Sequence, residues 1–435
     1  MEDDIDAMPT KQFFVDMLIK DIPLDRAVLD LVDNCIDGAK RLRPNANDNF
    51  EGLNILLSIG SGEFRIEDNC GGFDIDTAKD YAFRFGRAKT ARATPFSIGQ
   101  FGVGMKRALF KFGREFEINS ATATERWSLA VNVDKWEANA NWKFEFTSAE
   151  RDLEIAPANQ GTSIVVKRLR PEVSSRFGTQ WFQNTLGDVI RVHQRQFISN
   201  GLEIRLEGVA LTATDVNLFT GPIRPSVEAY EEAVDSSIIK IRIVAGVGPS
   251  SPSTAGWYVV CNGRVVLAAD RSEETGWGRV GDNEAGVPKF HNQFARFRGI
   301  VYFDCEAADK LPWNTTKTGV DADSPVWQRA LTKMIDQTRL IIDFLNNLDS
   351  EAAEHGKSGP LAKAIAAATL TQVDSVRQQA SFMAPDKEKF SGPVLRRIAY
   401  SRPEDQVALL MEQLGLSSAK AVGELTFDLA FRDKS

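Results

Sequence analysis

The run LDLVDNCIDGA, residues 29–39, places Asp30, Asp33, Asn34 and Asp37 on one polar stripe of a helix. Opposite them, Leu24, Ala27, Val28, Leu31, Val32, Cys35 and Ile36 recur at spacings of three and four, which is one apolar face. The helical pattern covers 10–45, and Pro44 ends it. A charged stripe is ordinarily a solvated face. This one has unusual residue types, because Asp and Asn compete for backbone hydrogen bonds and are poor in helix interiors. Clustered carboxylates also repel one another unless a cation neutralises them. A magnesium ion would do so, with Asn34 as one oxygen ligand beside phosphate oxygens and waters.

Three further runs follow in order. EDNCGGF, residues 67–73, ends a strand-like segment, and its glycines allow a tight turn or close approach of a ligand. An acid at such a strand end can accept a hydrogen bond from a base's exocyclic amine. SIGQFGVGMKRALFKFG, residues 97–113, sets Gly99, Gly102 and Gly104 before a helix with Lys106 in its first turn. Backbone amides at a helix N-terminus, with a lysine, make an anion site suited to phosphates. No GK[ST] closes this loop and no βαβ frame surrounds it, so it is neither a Walker A loop nor a dinucleotide fingerprint. GTSIVV, residues 161–166, is a turn glycine and a threonine opening a strand. Taken singly, each of these runs has an ordinary structural explanation.

Together and in this order they resemble the boxes of the GHKL ATPases. That superfamily includes type II topoisomerase ATPase domains, MutL, MORC proteins, the large heat-shock chaperones and histidine kinases. LDLVDNCIDGA resembles the N-box, EDNCGGF the adenine box and GTSIVV the last box. IGQFGVG matches the phosphate box of the chaperone branch. The resemblance spans roughly residues 10–205 and implies a Bergerat-fold α/β sandwich that binds ATP with Mg2+. Asn34 would hold the metal, with Asp37 in the same box. Asp68 would receive the adenine amine with Thr162 in support, and Gly72 would let the base lie against backbone. Gly99, Gln100, Phe101, Gly102, Val103 and Gly104, with the Lys106 helix, would hold the phosphates. Residues 86–98, with Arg87 and Lys89, would form the lid. Two positions depart from the pattern. Cys70 stands where the adenine box has its first glycine. The general base four residues before Asn34 is Asp30 rather than Glu, shorter by about 1.5 Å, so slow hydrolysis is expected.

Beyond this unit, LPWNTTKTGVD, residues 311–321, lies between a strand and a helix. MORC, MutL and topoisomerase members carry a transducer domain whose loop lysine reaches the γ-phosphate. Lys317 stands in that order and context, and with Asp30 completes the expected catalytic pair. YVVCNGRVV, residues 258–266, resembles the strand–turn–strand of MORC-type transducers, with Asn262-Gly263 as the turn. The expected organisation is an ATP-binding domain over 1–205, a transducer-like α/β domain over 206–350, and a small helical C-terminal region over 351–435 for dimerisation or partner docking. Long exposed loop is expected over 271–293.

Bulk properties agree with that plan. The chain has 435 residues, 43% hydrophobic and 26% charged, enough for two or three domains with proper cores. A net charge of −8 counts against extensive DNA contact. Cys35, Cys70, Cys261 and Cys305 form no CxxC pair and suggest neither zinc nor disulfides. The acidic start MEDDIDAMPTKQ is not a signal peptide, and no apolar run nears the roughly 18 residues of a membrane span. A cytoplasmic protein is expected. Three function classes fit: an ATP-gated, dimerising MORC- or MutL-like clamp in bacterial DNA repair or anti-phage defence, a chaperone-like ATPase, and a nucleotide-sensing scaffold that gates a partner effector. Histidine kinases are disfavoured, since no phosphoacceptor-helix pattern is visible.

Overall fold

The computed structural model describes residues 9–44, 49–84, 94–99, 102–279, 286–314, 316–355, 359–387 and 398–432. The helical pattern at the start resolves into α1 (Lys11–Lys20) and α2 (Leu24–Leu42). The break falls at Pro23, which stands at the N-cap of α2 and fixes an extended φ there. Asp25 in the first turn and Lys40 and Arg41 in the last suit the helix dipole. Almost every residue of α2 from Ala27 to Ala39 is buried, including Asp30, Asp33 and Asp37. The polar stripe is therefore no solvated face.

The first sheet contains β1 (Asn54–Ile59), β2 (Phe64–Asp68), β3 (Gly113–Ala121), β4 (Arg126–Asn132), β5 (Phe146–Glu150), β6 (Gly161–Leu169), β7 (Glu203–Leu206) and β8 (Val209–Ala210). Their spatial order is β5-β4-β3-β6-β2-β1-β7-β8. The sheet is mixed, since β1 and β7 run parallel while β2 pairs antiparallel with both β1 and β6. On it lie α2, α3 (Gly104–Phe112) and α4 (Gln180–His193), with α1 and α2 both packed on α3. Phe64, Phe112 and Phe177 pack ring on ring at 4.7 and 5.4 Å in the layer between. This is the expected α/β sandwich. Two elements differ from expectation. The strand foreseen at WKFEFTS starts only at Phe146, because Trp142 and Phe144 turn inward onto Trp136, at 5.6 and 5.3 Å. The helix foreseen over 178–198 is two helices, α4 and Arg195–Ser199.

A second sheet holds β10 (Ser226–Val234), β11 (Ser237–Val247), β12 (Gly256–Cys261), β13 (Arg264–Asp270) and β14 (Phe297–Asp304), ordered β10-β11-β14-β12-β13. Every residue of β12 is buried, as its continuous apolar run requires of a central strand. The long helix α5 (Pro325–His355) packs on β11 and β14. Asn262 and Gly263 both take left-handed backbone, at φ 48° and 87°, and close the β12–β13 hairpin as their residue types require. Of the 271–293 segment, 280–285 lie outside the described residues, and the rest is not simply exposed: Trp277 is buried against Phe290, Phe294 and Phe297.

The C-terminal region carries the expected helices together with one strand that was not expected. α5 itself runs past residue 350, and β15 (Thr369–Gln372) returns to pair with β9 (Asn217–Thr220). Ala380 and Met383 then bridge back to Val227 and Arg224. The polar alternation of Thr369–Gln372 suits an edge strand, with Thr371 Oγ1 2.8 Å from Thr220 Oγ1. Helices Glu404–Leu414 and Ala419–Arg432 follow, with Val422 as their one buried side chain.

Gly299 on β14 sits beneath Trp257, where a Cβ would stand 2.4 Å from the indole ring. Gly299→Ala is expected to cost about 1–3 kcal/mol by overpacking, seen as a lower urea midpoint. An unchanged midpoint would mean the indole has room to move.

Candidate ATP site

A cavity of about 1760 Å³ opens between α2, the β2–β6 strand ends, the N-terminus of α3 and the second unit. It exceeds the roughly 300–1,000 Å³ of an ordinary small-molecule pocket. Asp30, Asn34, Asp37, Asp68, Gly72, Gly99, Gly102, Val103, Gly104, Thr162 and Lys317 all line it. Gln100, Phe101 and residues 85–93, which include Arg87, Lys89 and most of the expected lid, lie outside the described residues.

At the base-binding end, Asp68 closes β2 opposite Thr162 on β6. The Cys70 amide donates to its Oδ1 at 2.8 Å. Burial pushes the Asp68 carboxyl up to about 6, although the Cys70 amide, the Cys35 thiol and the Thr162 amide all donate to it. Gly71 and Gly72 take left-handed backbone, at φ 81° and 61°, while Cys70 does not. A Cβ on Gly72 would meet the Ala121 carbonyl at 2.3 Å. The cysteine in place of a glycine is thus accommodated, and Gly72 is the position that needs to be bare. Ser120 Oγ sits 3.4 Å from Thr162 Oγ1 and accepts from the Phe73 amide, which fixes the rim.

At the other end, Asp37 is buried and accepts from the amides of Ile98 and Gly99, at 2.7 and 2.6 Å. Burial pushes its carboxyl up, while the Lys40 ammonium and those two amides hold it down. It therefore binds the glycine loop to α2. Asn34 is exposed to the cavity beside Gly99. A Cβ on Gly104 would lie 3.1 Å from the Asp30 carboxylate, so this glycine lets α3 start against α2.

Lys106 is not among the residues that line the cavity. It is buried, and its ammonium donates to the carbonyls of Ala82, Arg84 and Gly102. An ammonium out of water needs acceptors, and these three carbonyls supply them. Its neighbour Arg107 lines the cavity and donates to Asp30 Oδ2 at 2.7 Å. The Arg107 Nε is buried and has no partner among the described residues.

Lys317 comes from the second unit and is buried at the cavity wall. Its Nζ donates to Asp33 Oδ2 at 2.9 Å and lies 3.6 Å from Asp30 Oδ1. The loop carries it at φ 53°, a left-handed conformation uncommon outside glycine. Burial would lower its pKa, but Asp33 and Asp30 outweigh that and hold it above the ordinary lysine value. Asp33, Arg107, Arg264 and Asn262 were not foreseen as site residues. Asn262 Nδ2 donates to the Ser97 carbonyl at 3.1 Å, so the hairpin turn touches the glycine loop. Among the described residues no group of three or more His, Cys, Asp or Glu could hold a metal alone. A magnesium ion here would rely on phosphate oxygens with Asn34.

The arrangement defines a class: an α/β-sandwich nucleotide pocket with an amide-rich loop for phosphates and a lysine supplied by a second unit. Residues 22–162 match the family model of histidine kinase-, DNA gyrase B- and HSP90-like ATPases. The match runs from α2 into β6 and supports placing this unit in the GHKL superfamily, whose domains bind ATP with Mg2+ and generally hydrolyse it. No curated protein matches the chain. No helix among the described residues is long and apolar enough to cross a membrane.

Lys106→Met should leave three carbonyls without their donor and cost at least about 1–3 kcal/mol, measured as a lower denaturation midpoint. A variant as stable as the parent, with weakened nucleotide binding, would return Lys106 to the phosphates.

Proposed function

We propose that the chain is an ATP-gated conformational switch, nearest to MORC- or MutL-like members, that hydrolyses ATP slowly. The observation that carries this reading is Lys317, a second-unit cation set 2.9 Å from Asp33 and 3.6 Å from Asp30 inside the first unit's cavity. Asp68, with Thr162, receives the adenine amine, and Gly72 lets the base approach. The loop Gly99–Gly104, including Gln100 and Phe101, and Arg107 hold the phosphates. Asn34 gives one oxygen to Mg2+, which would neutralise phosphate charge. Asp30 orients the attacking water, and its short reach and pairing with Arg107 favour low turnover. Lys317 stabilises charge at the terminal phosphate and so reports ATP to the second unit.

The functional unit in this reading is an ATP-dependent homodimer. The exposed Leu409, Phe427 and Phe431 of the last two helices offer a partner protein a place to dock. A nucleotide-sensing scaffold is the second reading, favoured by the same pairing of Asp30 with Arg107.

Steady-state hydrolysis and nucleotide binding test this together. Asp30→Asn and Lys317→Met should each lower turnover by about 100-fold or more, while Asp30→Asn keeps ATP affinity within about threefold. Binding without turnover in the parent chain would favour the scaffold, and absence of binding would sink both readings.

Affinity should also depend on pH through Asp68. Its raised pKa of about 6 means that below that pH the free protein carries a proton there. The ionised carboxylate is the stronger acceptor for the adenine amine, so binding favours loss of that proton. Affinity should be flat above pH 6 and fall below it, by at most about tenfold per pH unit. Asp68→Asn should remove the step, and a flat profile from pH 7 to 5 in the parent would refute the assignment.

A further inference from the structure

Arg264 opens β13 at the hairpin turn and is 1% exposed. It is not among the residues that line the cavity. Its Nε donates to Asp33 Oδ1 at 2.9 Å. Its Nη1 donates to the Val265 carbonyl at 2.7 Å and lies 2.9 Å from His193 Nδ1. Asp33 is 0% exposed. The Gln194 amide also donates to Oδ1, at 2.7 Å, and Lys317 holds Oδ2. One buried carboxylate is thus shared by two cations, one on each oxygen.

That sharing matters when Lys317 is recruited elsewhere. A buried carboxylate that loses its only cation is strongly destabilising. With Arg264 in place, Lys317 can leave Asp33 and the charge stays paired. Without Arg264, Lys317 would be the only cation bonded to Asp33 and would be retained there. The local charge count agrees. Asp25, Asp30 and Asp33 face Arg26, Arg107, Lys317 and Arg264, which leaves one positive charge over among these groups for an incoming anion.

We propose that Arg264 is a positioning residue: by holding Asp33 it releases Lys317 to the terminal phosphate of ATP. The proposal rests on the reading of the cavity as an ATP site that Lys317 attends. Its consequence is selective. Ligands with a γ-phosphate need Lys317 and depend on Arg264, whereas ADP does not. A residue that merely fastened the two units together would affect both nucleotides alike.

The test is calorimetric binding of ADP and of a non-hydrolysable imido analogue of ATP to the full chain. R264M should weaken the analogue by about tenfold or more and ADP by less than about threefold. Adding D33N removes the carboxylate that retains Lys317, so R264M/D33N should recover the analogue to within about threefold of D33N alone. Equal weakening of both nucleotides in R264M, or no recovery in the double variant, overturns the proposal while leaving the ATP reading intact. If R264M does not fold, D33N and R264M/D33N still decide. They should show the same preference for the analogue over ADP, and a lower preference in the double variant overturns the proposal. A parent chain that binds neither nucleotide sinks the ATP reading and this proposal with it.

Discussion

The carboxylate of Asp33 is the constraint on which the two-unit arrangement depends. Burial would push its pKa up, but Arg264 and Lys317 beside it outweigh burial and hold it below the ordinary carboxylate range. Both cations come from the second sheet's unit, while Asp33 belongs to α2 and Gln194 to the α4 end of the first. Breaking a buried pair by losing one partner costs about 3–5 kcal/mol. The second unit therefore cannot shift across α2 without either re-pairing this charge or opening it to water. Few surface contacts impose so discrete a choice.

A second connection runs through the glycine loop. Asp37 and Lys40 of α2 hold the loop from one side, through the Ile98 and Gly99 amides and the Phe96 carbonyl. Asn262 and the Glu306 carbonyl hold it from the other, through the Ser97 carbonyl and the Phe96 amide. Lys40 also donates to the Asn262 carbonyl at 2.8 Å, so the two sets meet. The segment that leads from the lid region into the phosphate loop is thus shared between the units. Any shift of Phe96 or Ser97 would strain the bonds that tie this segment to the β12–β13 turn and to Glu306.

Much of this was legible in the sequence, and the limits have physical reasons. Periodicity placed the apolar side of α2, and the glycines marked Gly72 and the start of α3 correctly. The Asn262-Gly263 turn was readable because its left-handed backbone demands those residue types. Lys317 was placed by order and context. The roles within the polar stripe were not readable. Asp30, Asp33 and Asp37 share one side of the helix, and only the partners brought by other elements divide them into a cavity carboxylate, a buried ion and a loop anchor. Lys106 and Arg107 posed the same problem. They are adjacent, so they point about 100° apart on the helix, and sequence does not say which one meets the cavity. The C-terminal strand was missed because Thr369–Gln372 is short and polar, and its identity as a strand comes from pairing with β9.

The chemistry of the shared lysine also explains how a pocket of this kind can act as a switch. A ligand shifts a conformational equilibrium only by its differential affinity for the two states. Moving a population from 1:99 to 99:1 needs about 5.5 kcal/mol of such difference. An anion bound where none was before could supply that, but it would hold the closed state too firmly to reset. Here Lys317 is already paired with Asp33 at 2.9 Å, with Asp30 nearby. A terminal phosphate would exchange one buried anion for another, so the net gain is the difference between two strong pairings. In the proposed switch such an exchange would keep the bias within reach of a single hydrolysis step, because removing the phosphate would return the lysine to a partner held in place by Arg264.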